Sequence, residues 1–281
     1  MDHNWNPIRI LAGLFLGIMG LLYIFPIFWM ATTSLKSTGE LYGYPPTLVP
    51  LRPTFQAYTS LLFEKGYGHL IRNSLIINLL TIALTLALAL LINYPLARLR
   101  VSTRAGRAIL NGILAIRFIP GIIMIIPFYA IILTVGLYDT IWSLVLIYTV
   151  FNLPLAVYML NGFLQEIPIE LEEAALVDGA TRRYAFLAIT LPQLSPAILA
   201  IAVITFALSW NDFLFALILT ATPAAQTFSI GVWRLVSQFQ ILWNEMAAAA
   251  VIAMTIPILL LVFVRRYLLA ALTFGIVREK A

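Results

Sequence analysis

Asp212, flanked by Trp210 and Asn211, is the ionisable residue whose surroundings most suggest chemistry. It stands in an apolar run, where an ionised group at depth costs on the order of 2.5–3.5 kcal/mol and must face a cavity or a partner. Indole, amide and carboxylate together suit a polyhydroxylated solute. The ring supplies a stacking face, and the two polar side chains bind hydroxyls. The competing reading is a cap on a helix break at the membrane interface. Tyr148 and Asn152 lie four residues apart and share one helical face. They read first as an interhelical hydrogen-bonding pair and second as the lining of a polar path. Arg117 lies near the start of another apolar run, from which its long side chain can snorkel to the interface.

The sequence offers no catalytic constellation. His3 and His69 are far apart and lack carboxylates at ligand spacing, so no metal site is expected. There is no cysteine, hence no disulfide or thiol chemistry. No Gly-rich Lys-Ser/Thr phosphate loop occurs, so the chain cannot hydrolyse ATP unaided and binds no cofactor of its own. An intramembrane protease would need a Ser/His or Asp pair within the apolar runs, and neither is available. Lys65-Gly66-Tyr67-Gly68 lacks the Thr-Val that precedes Gly-Tyr-Gly in a potassium filter, and it lies in a loop.

The densest polar chemistry is the segment from Ile167 to Arg183, with Glu166, Glu170, Glu172, Glu173 and Asp178 as its acids. Pro168 suits a first helical position, and the acids after it complement the positive end of the helix dipole. Leu171, Ala174, Ala175 and Asp178 recur at helical spacing. Gly179 can adopt the left-handed conformation that ends a helix, and Thr181 can cap a second one running to Pro192. Ala174 and Ala175 leave a shallow patch that another protein's backbone can approach. An acidic helix among lipid-like runs is a handle for a partner.

The elements that position these residues are membrane spans. Apolar residues make up 62% of the 281, charged ones 10%, and the mean hydropathy is +0.98, which excludes a soluble globule. Six runs reach the ~20 residues needed to cross the hydrocarbon, about 10–31, 74–94, 118–137, 141–160, 195–219 and 246–264. The stretch after Asp212 stays uncharged as far as Trp233, but Thr220, Thr222, Pro223 and Gln226 mark its second half as a loop or short re-entrant piece. Pro120, Pro127, Pro154, Pro196 and Pro257 fall in or beside spans, where they kink helices or serve as joints. Gly13 and Gly17 form a small-xxx-small pair suited to close packing. The segment from Thr32 to His69, stiffened by Pro45, Pro46, Pro50 and Pro53, is the largest outside loop. Eleven basic residues flank one side of the six spans and five the other. Both termini, the loop 162–194 and the tail 265–281 therefore face the cytoplasm. The formal charge of +5 fits retention beside anionic lipid and is spread over short loops, unlike a nucleic-acid footprint.

Glu173-Ala174-Ala175, Gly179 four positions later, and Ile189-Thr190-Leu191-Pro192 beyond a nine-residue gap resemble the signature loop of ABC importer permeases. Phe25-Pro26-Ile27-Phe28-Trp29-Met30, Ser34-Leu35-Lys36 and Asn73-Ser74-Leu75 resemble the start of the carbohydrate-importer branch. The run from Trp210 to Leu217 and the ending Leu272-Thr273-Phe274-Gly275-Ile276-Val277 are similar to its maltose-transporter G-subunit type. The resemblance implies an all-α membrane protein, a single permease domain of six transmembrane helices with a cytoplasmic coupling helix, in a prokaryotic inner membrane. It implies a transport subunit rather than an enzyme. Its partners would be a second permease, two ATPase subunits carrying ATP and magnesium, and an external binding protein for a sugar, oligosaccharide or polyol. The ATPase-coupling residues it implies are Glu172, Glu173, Ala174, Ala175, Asp178 and Gly179. It places Trp210, Asn211 and Asp212 near the path, to which the spacing of Tyr148 and Asn152 adds those two residues, and it implies Gly275 as a tail contact, although Arg278-Glu279-Lys280 departs from the type's small ending. The rivals are an ion-coupled carrier, for which Asp212 is nearly alone as a coupling group, and a permease for a non-carbohydrate solute.

Overall fold

Proline and glycine mark several of the points where the apolar runs become separate helices. The computed structural model describes residues 7–98, 103–236 and 242–278, with side chains over 11–98, 104–236 and 242–265. The first run forms α1 (Pro7–Ser34), followed by the short α2 (Thr38–Leu41) and α3 (Gln56–Thr59) in the proline-rich loop before the second run. The second run forms α4 (Tyr67–Arg98), which opens just after Gly66 at a positive φ of 71°. Next come α5 (Thr103–Ala115), α6 (Gly121–Thr134), α7 (Ile141–Glu166), α8 (Glu170–Val177), α9 (Arg182–Ala185) and α10 (Leu191–Gln193). Last are α11 (Ser195–Trp210), α12 (Leu214–Leu219), α13 (Phe228–Arg234) and α14 (Trp243–Arg278). Among the described residues the ordered elements are helical.

Four helices, α1, α4, α7 and the first part of α14, are long and apolar enough to cross a membrane alone. The other two expected spans are broken. The run expected to be helical over 118–137 folds instead as α6, only 14 residues long, after a 99° bend from the helix ending at Phe118. Fourteen residues rise about 21 Å, short of the roughly 30 Å of hydrocarbon. The break has a local cause: Ile119 precedes Pro120, which disfavours the helical region, and it is extended at φ −79°, ψ 119°. Likewise α11 follows a 66° bend beside Pro196, and α12 is separated from it at Asn211–Phe213. Counting each bent pair as one crossing brings the total to six. Pro127, Pro154 and Pro257, in contrast, lie inside continuous helices. The stretch after Thr220 forms a loop and then α13, in keeping with the breakers read there.

The chain divides into two compact units, one of residues up to Gly68 with Gly231–Ile256, the other of His69–Ile230 with residues from Pro257 onward. In the first unit the proline-rich loop after α1 is pinned by polar contacts. Lys36 donates to the Thr47 carbonyl, Glu40 accepts from the Thr47 hydroxyl and the Leu51 N–H (both 2.8 Å), and the Ser34 hydroxyl meets that of Tyr58 at 2.8 Å. The Leu51 amide is the main reason the Glu40 carboxyl titrates below its ordinary range. Ser60 and Lys65 both donate to Glu245 at the start of α14.

In the second unit α7 is the central strut, with 61% of its most apolar stretch buried against 28% for α4. Its first half packs with Ile77, Ile132, Phe215, Leu219 and Ile230. Its second half packs with Ala89, Leu194, Ala197 and Ile201. Asn73 on α4 donates to the carbonyls of Pro223, Ala224 and Gln226 at 3.0–3.1 Å and so fixes the loop before α13. Asp139, at a positive φ of 57°, accepts from the N–H groups of Ala221 (2.8 Å) and Thr222 (3.0 Å) and from the Thr222 hydroxyl (2.8 Å). Burial would raise its pKa, but these three donors outweigh that and hold it below the usual carboxylate range.

Candidate functional site

The acidic segment between α7 and α11 folds as its composition demands, with one shift at its start. Ile167 caps α7 in an extended conformation because Pro168 follows it. Pro168 is not the first helical residue, as its type suggested. It sits two positions earlier, and its carbonyl accepts from Leu171 at 3.4 Å before α8 begins at Glu170. Glu170, Glu172 and Glu173 occupy the first turn of α8, where the helix dipole favours them.

The other end closes as a Schellman motif. The Gly179 N–H donates to Leu176 at 3.1 Å and the Ala180 N–H to Ala175 at 2.9 Å, with Gly179 at φ +88°. Thr181 then caps α9 by accepting from the Tyr184 N–H at 3.2 Å. Both readings of this turn from residue type agree with the geometry.

The helix presents two different faces. Glu170, Leu171, Glu173, Ala174, Val177 and Asp178 are exposed, Val177 by 87%. Ala175 and Leu176 are half-buried. Glu172, grouped by resemblance with residues that meet a partner, is turned inward and is only 6% exposed. Its carboxylate accepts from Arg98 Nε (2.9 Å), the Tyr94 hydroxyl (2.9 Å) and the Thr190 hydroxyl (2.5 Å). Arg98 also donates to the Ile167 carbonyl at 2.8 Å, and the Tyr94 ring lies 4.6 Å from that of Phe186. Sequence reasoning missed Tyr94, Arg98 and Thr190 as members of this cluster. The available signals were an Arg closing an otherwise apolar run and a Thr among Ile, Leu and Pro.

The residues expected along a path fall into two groups. Tyr148, Asn152 and Asp212 come together. The Tyr148 hydroxyl donates to Asp212 Oδ1 at 2.9 Å, and Asn152 donates to the Ser209 hydroxyl at 3.1 Å and to the Tyr148 carbonyl at 2.7 Å. Asp212 Oδ1 also accepts from Phe215 (3.1 Å) and Ala216 (3.4 Å), capping α12. The helix-break cap and the interhelical bonds are thus both present. Among the described residues Asp212 Oδ2 takes no hydrogen bond, which leaves it open to another donor. Trp210 does not offer the free stacking face expected of it. It is buried, with its ring stacked against Phe206 at 5.4 Å and Phe228 at 6.4 Å. Asn211 is exposed and donates back to the Ala207 carbonyl at 2.8 Å.

Arg117 lies in the turn between α5 and α6 and donates to the Phe151 carbonyl at 3.3 Å, an internal use that its type did not predict. Gly13 and Gly17 have open space where a side chain would begin, so among the described residues no close packing occurs there. Gly275 belongs to α14, which runs on to Arg278, and its surroundings lie outside the described side chains.

Known proteins resemble the chain over most of its length. The Agrobacterium fabrum sulfoquinovosyl glycerol transport system permease SmoH is 32% identical over 96% of this chain and 93% of its own. The Mycobacterium tuberculosis trehalose transport system permease SugB is 35% identical over 91% of this chain and 92% of its own. The Thermococcus litoralis trehalose/maltose permease MalG is 28% identical over 92% of each. A solved bacterial ABC transporter for import of the acidic polysaccharide alginate has the same fold, with a TM-score of 0.78 at 20% identity over 95% of this chain and 98% of that one. Residues 86–277 match the binding-protein-dependent transport system inner membrane component, and the chain belongs to that family of ABC importer permeases.

Proposed function

We propose that this chain is the permease subunit of an ATP-driven importer for a sugar, oligosaccharide or polyol. The observation that carries the reading is α8. It is a capped, acidic helix with Glu173, Ala174 and Val177 outward and Glu172 locked to the end of an apolar helix beneath it. A polar helix held rigidly on apolar ones is a surface that a water-soluble ATPase can grip. Closure of an ATPase pair on ATP moves α8, and α8 moves the helices to which it is tied. The residues proposed to meet the ATPase are Glu173, Ala174, Ala175, Asp178 and Gly179, with Glu172 as their anchor. The carbohydrate class is supported by the trehalose, maltose and sulfoquinovosyl glycerol named for the relatives.

The chain carries no phosphate loop, and in this reading two partner ATPase subunits supply the nucleotide site while the chain serves as a transport subunit. A second permease completes the path, and an external binding protein delivers the solute. Both termini and α8 lie on the cytoplasmic side of a prokaryotic inner membrane, a placement that the excess of basic residues on that side supports. The six crossings are α1, α4, α7, α14 and the two bent pairs. Within the path Asp212 receives a solute hydroxyl at Oδ2 while Tyr148 and Asn152 hold its surroundings. Trp210 supports this site from behind. The tail around Gly275 reaches toward the ATPase pair.

The test is purification in mild detergent from cells expressing the neighbouring subunits, followed by measurement of ATP hydrolysis. An ATPase subunit should co-purify, and loaded binding protein should stimulate it. A chain that purifies without a nucleotide-binding partner would defeat the reading.

A further inference from the structure

Of the acids in the loop, Glu172 alone is buried, and the groups it binds come from different helices. We propose that the Arg98–Glu172 pair is the joint through which α8 moves three spanning segments together, with Arg98 as its positioning residue. The proposal rests on the transport reading above. Arg98 ends α4, and its two arms reach Glu172 at 2.9 Å and, at 2.8 Å, the carbonyl of Ile167, which caps α7. Glu172 also holds Thr190, at the foot of the bent segment that leads into α11. Tyr94, one turn earlier on α4, adds a third donor. The foot of α4, the end of α7, α8 and the approach to α11 thus converge on one carboxylate and one guanidinium, whose side chains are only 7% and 6% exposed.

Such a pair is a poor device for stability alone, because desolvation offsets its attraction; its best-attested use is to fix register. It suits a joint for that reason. Sliding α8 against any of the three segments breaks a charge-assisted bond where water does not replace it. The planar fork of Arg serves two acceptors at fixed angles, which the point charge of Lys does not.

The experiment uses the full complex, co-expressed and purified with its ATPase subunits. Arg98→Met with Glu172→Gln removes both charges and leaves no unpaired ion buried. Arg98→Lys and Thr190→Val are milder companions. The readouts are ATPase subunit bound per permease, basal hydrolysis, and stimulation by binding protein loaded with solute. The exposed face of α8 is untouched in the double variant, so association stays close to wild type. Stimulation falls by about tenfold, which corresponds to about 1.4 kcal/mol of lost coupling. Arg98→Lys and Thr190→Val fall in between. Wild-type stimulation in the double variant overturns the joint. Association and stimulation lost in equal proportion also overturn it, because the pair would then only shape the docking surface. Absence of any ATPase subunit from the wild-type complex defeats the transport reading, and the joint with it.

Discussion

Replacing Gly179 isolates the conformational contribution of the loop, because a side chain there would strike nothing. A Cβ built at Gly179 has no neighbour within 4 Å, so any penalty comes from the backbone at φ +88°. An L-residue in the left-handed region costs roughly 1–2 kcal/mol, with Asn below that and β-branched residues at the upper end. The two hydrogen bonds that close α8, Gly179 to Leu176 and Ala180 to Ala175, would contribute about 0.5–1.5 kcal/mol each if the turn opened instead. Either route reduces the population of the closed turn, and 1–2 kcal/mol corresponds to about 5–30-fold. The expected order of weakening of ATPase association is therefore Gly179→Asn, then Gly179→Ala, then Gly179→Val, with Val near the upper figure. The assay is titration of purified ATPase subunit onto the permease in lipid nanodiscs. Equal affinity for the Val and wild-type proteins, or three variants equally impaired, would refute the argument from φ.

Other expectations follow from the same geometry. Glu173→Lys should weaken ATPase association in the same titration while leaving membrane insertion intact, because Glu173 is exposed and outside the spans. The chain has no native cysteine, so Val177→Cys should react with an impermeant thiol reagent only from the cytoplasm and Tyr44→Cys, at a 96% exposed position, only from outside. Labelling of both from one face would contradict the orientation. Asp212→Ala should abolish uptake and also loosen α12 by about 0.5–2 kcal/mol through the lost cap. Asp212→Asn keeps an acceptor at the cap and should lose uptake with unchanged thermal stability. Asp139 has a depressed folded pKa, so its hold on Ala221 and Thr222 is complete above the unfolded value of about 3.9 and is lost as pH falls through the folded one. Amide exchange at Ala221 and Thr222 should accelerate only in that acid range, and Asp139→Asn should remove most of the pH dependence.

The helical membrane class and the turn chemistry were legible in the sequence because each depends on short-range effects. Apolar run length sets a span, Gly179 sets a positive φ, and Thr181 sets a cap. What escaped reading depended on which way a side chain turns. Glu172 and Glu173 are neighbours of identical chemistry, and only the position of Arg98, 74 residues earlier in the chain, makes one an anchor and leaves the other exposed. Trp210 has the composition of a sugar-stacking residue, but Phe206 and Phe228 occupy its faces. The break before α6 could have been read from Ile119-Pro120, yet hydropathy averaged over a window passes across a single extended residue. Asp139 gave only a weak signal, an acid before a Thr at the start of an apolar run, and its partners lie 82 and 83 residues away.

The central claim is that the energy for transport enters through α8 from a partner's ATP cycle. The most direct test is solute uptake by proteoliposomes holding the purified complex, with ATP and the ion gradients across the membrane varied separately. The account predicts that uptake requires ATP on the α8 side and loaded binding protein on the other, is indifferent to collapse of proton and sodium gradients, and is lost with Gly179→Val. Uptake that persists without ATP and follows an ion gradient would contradict it.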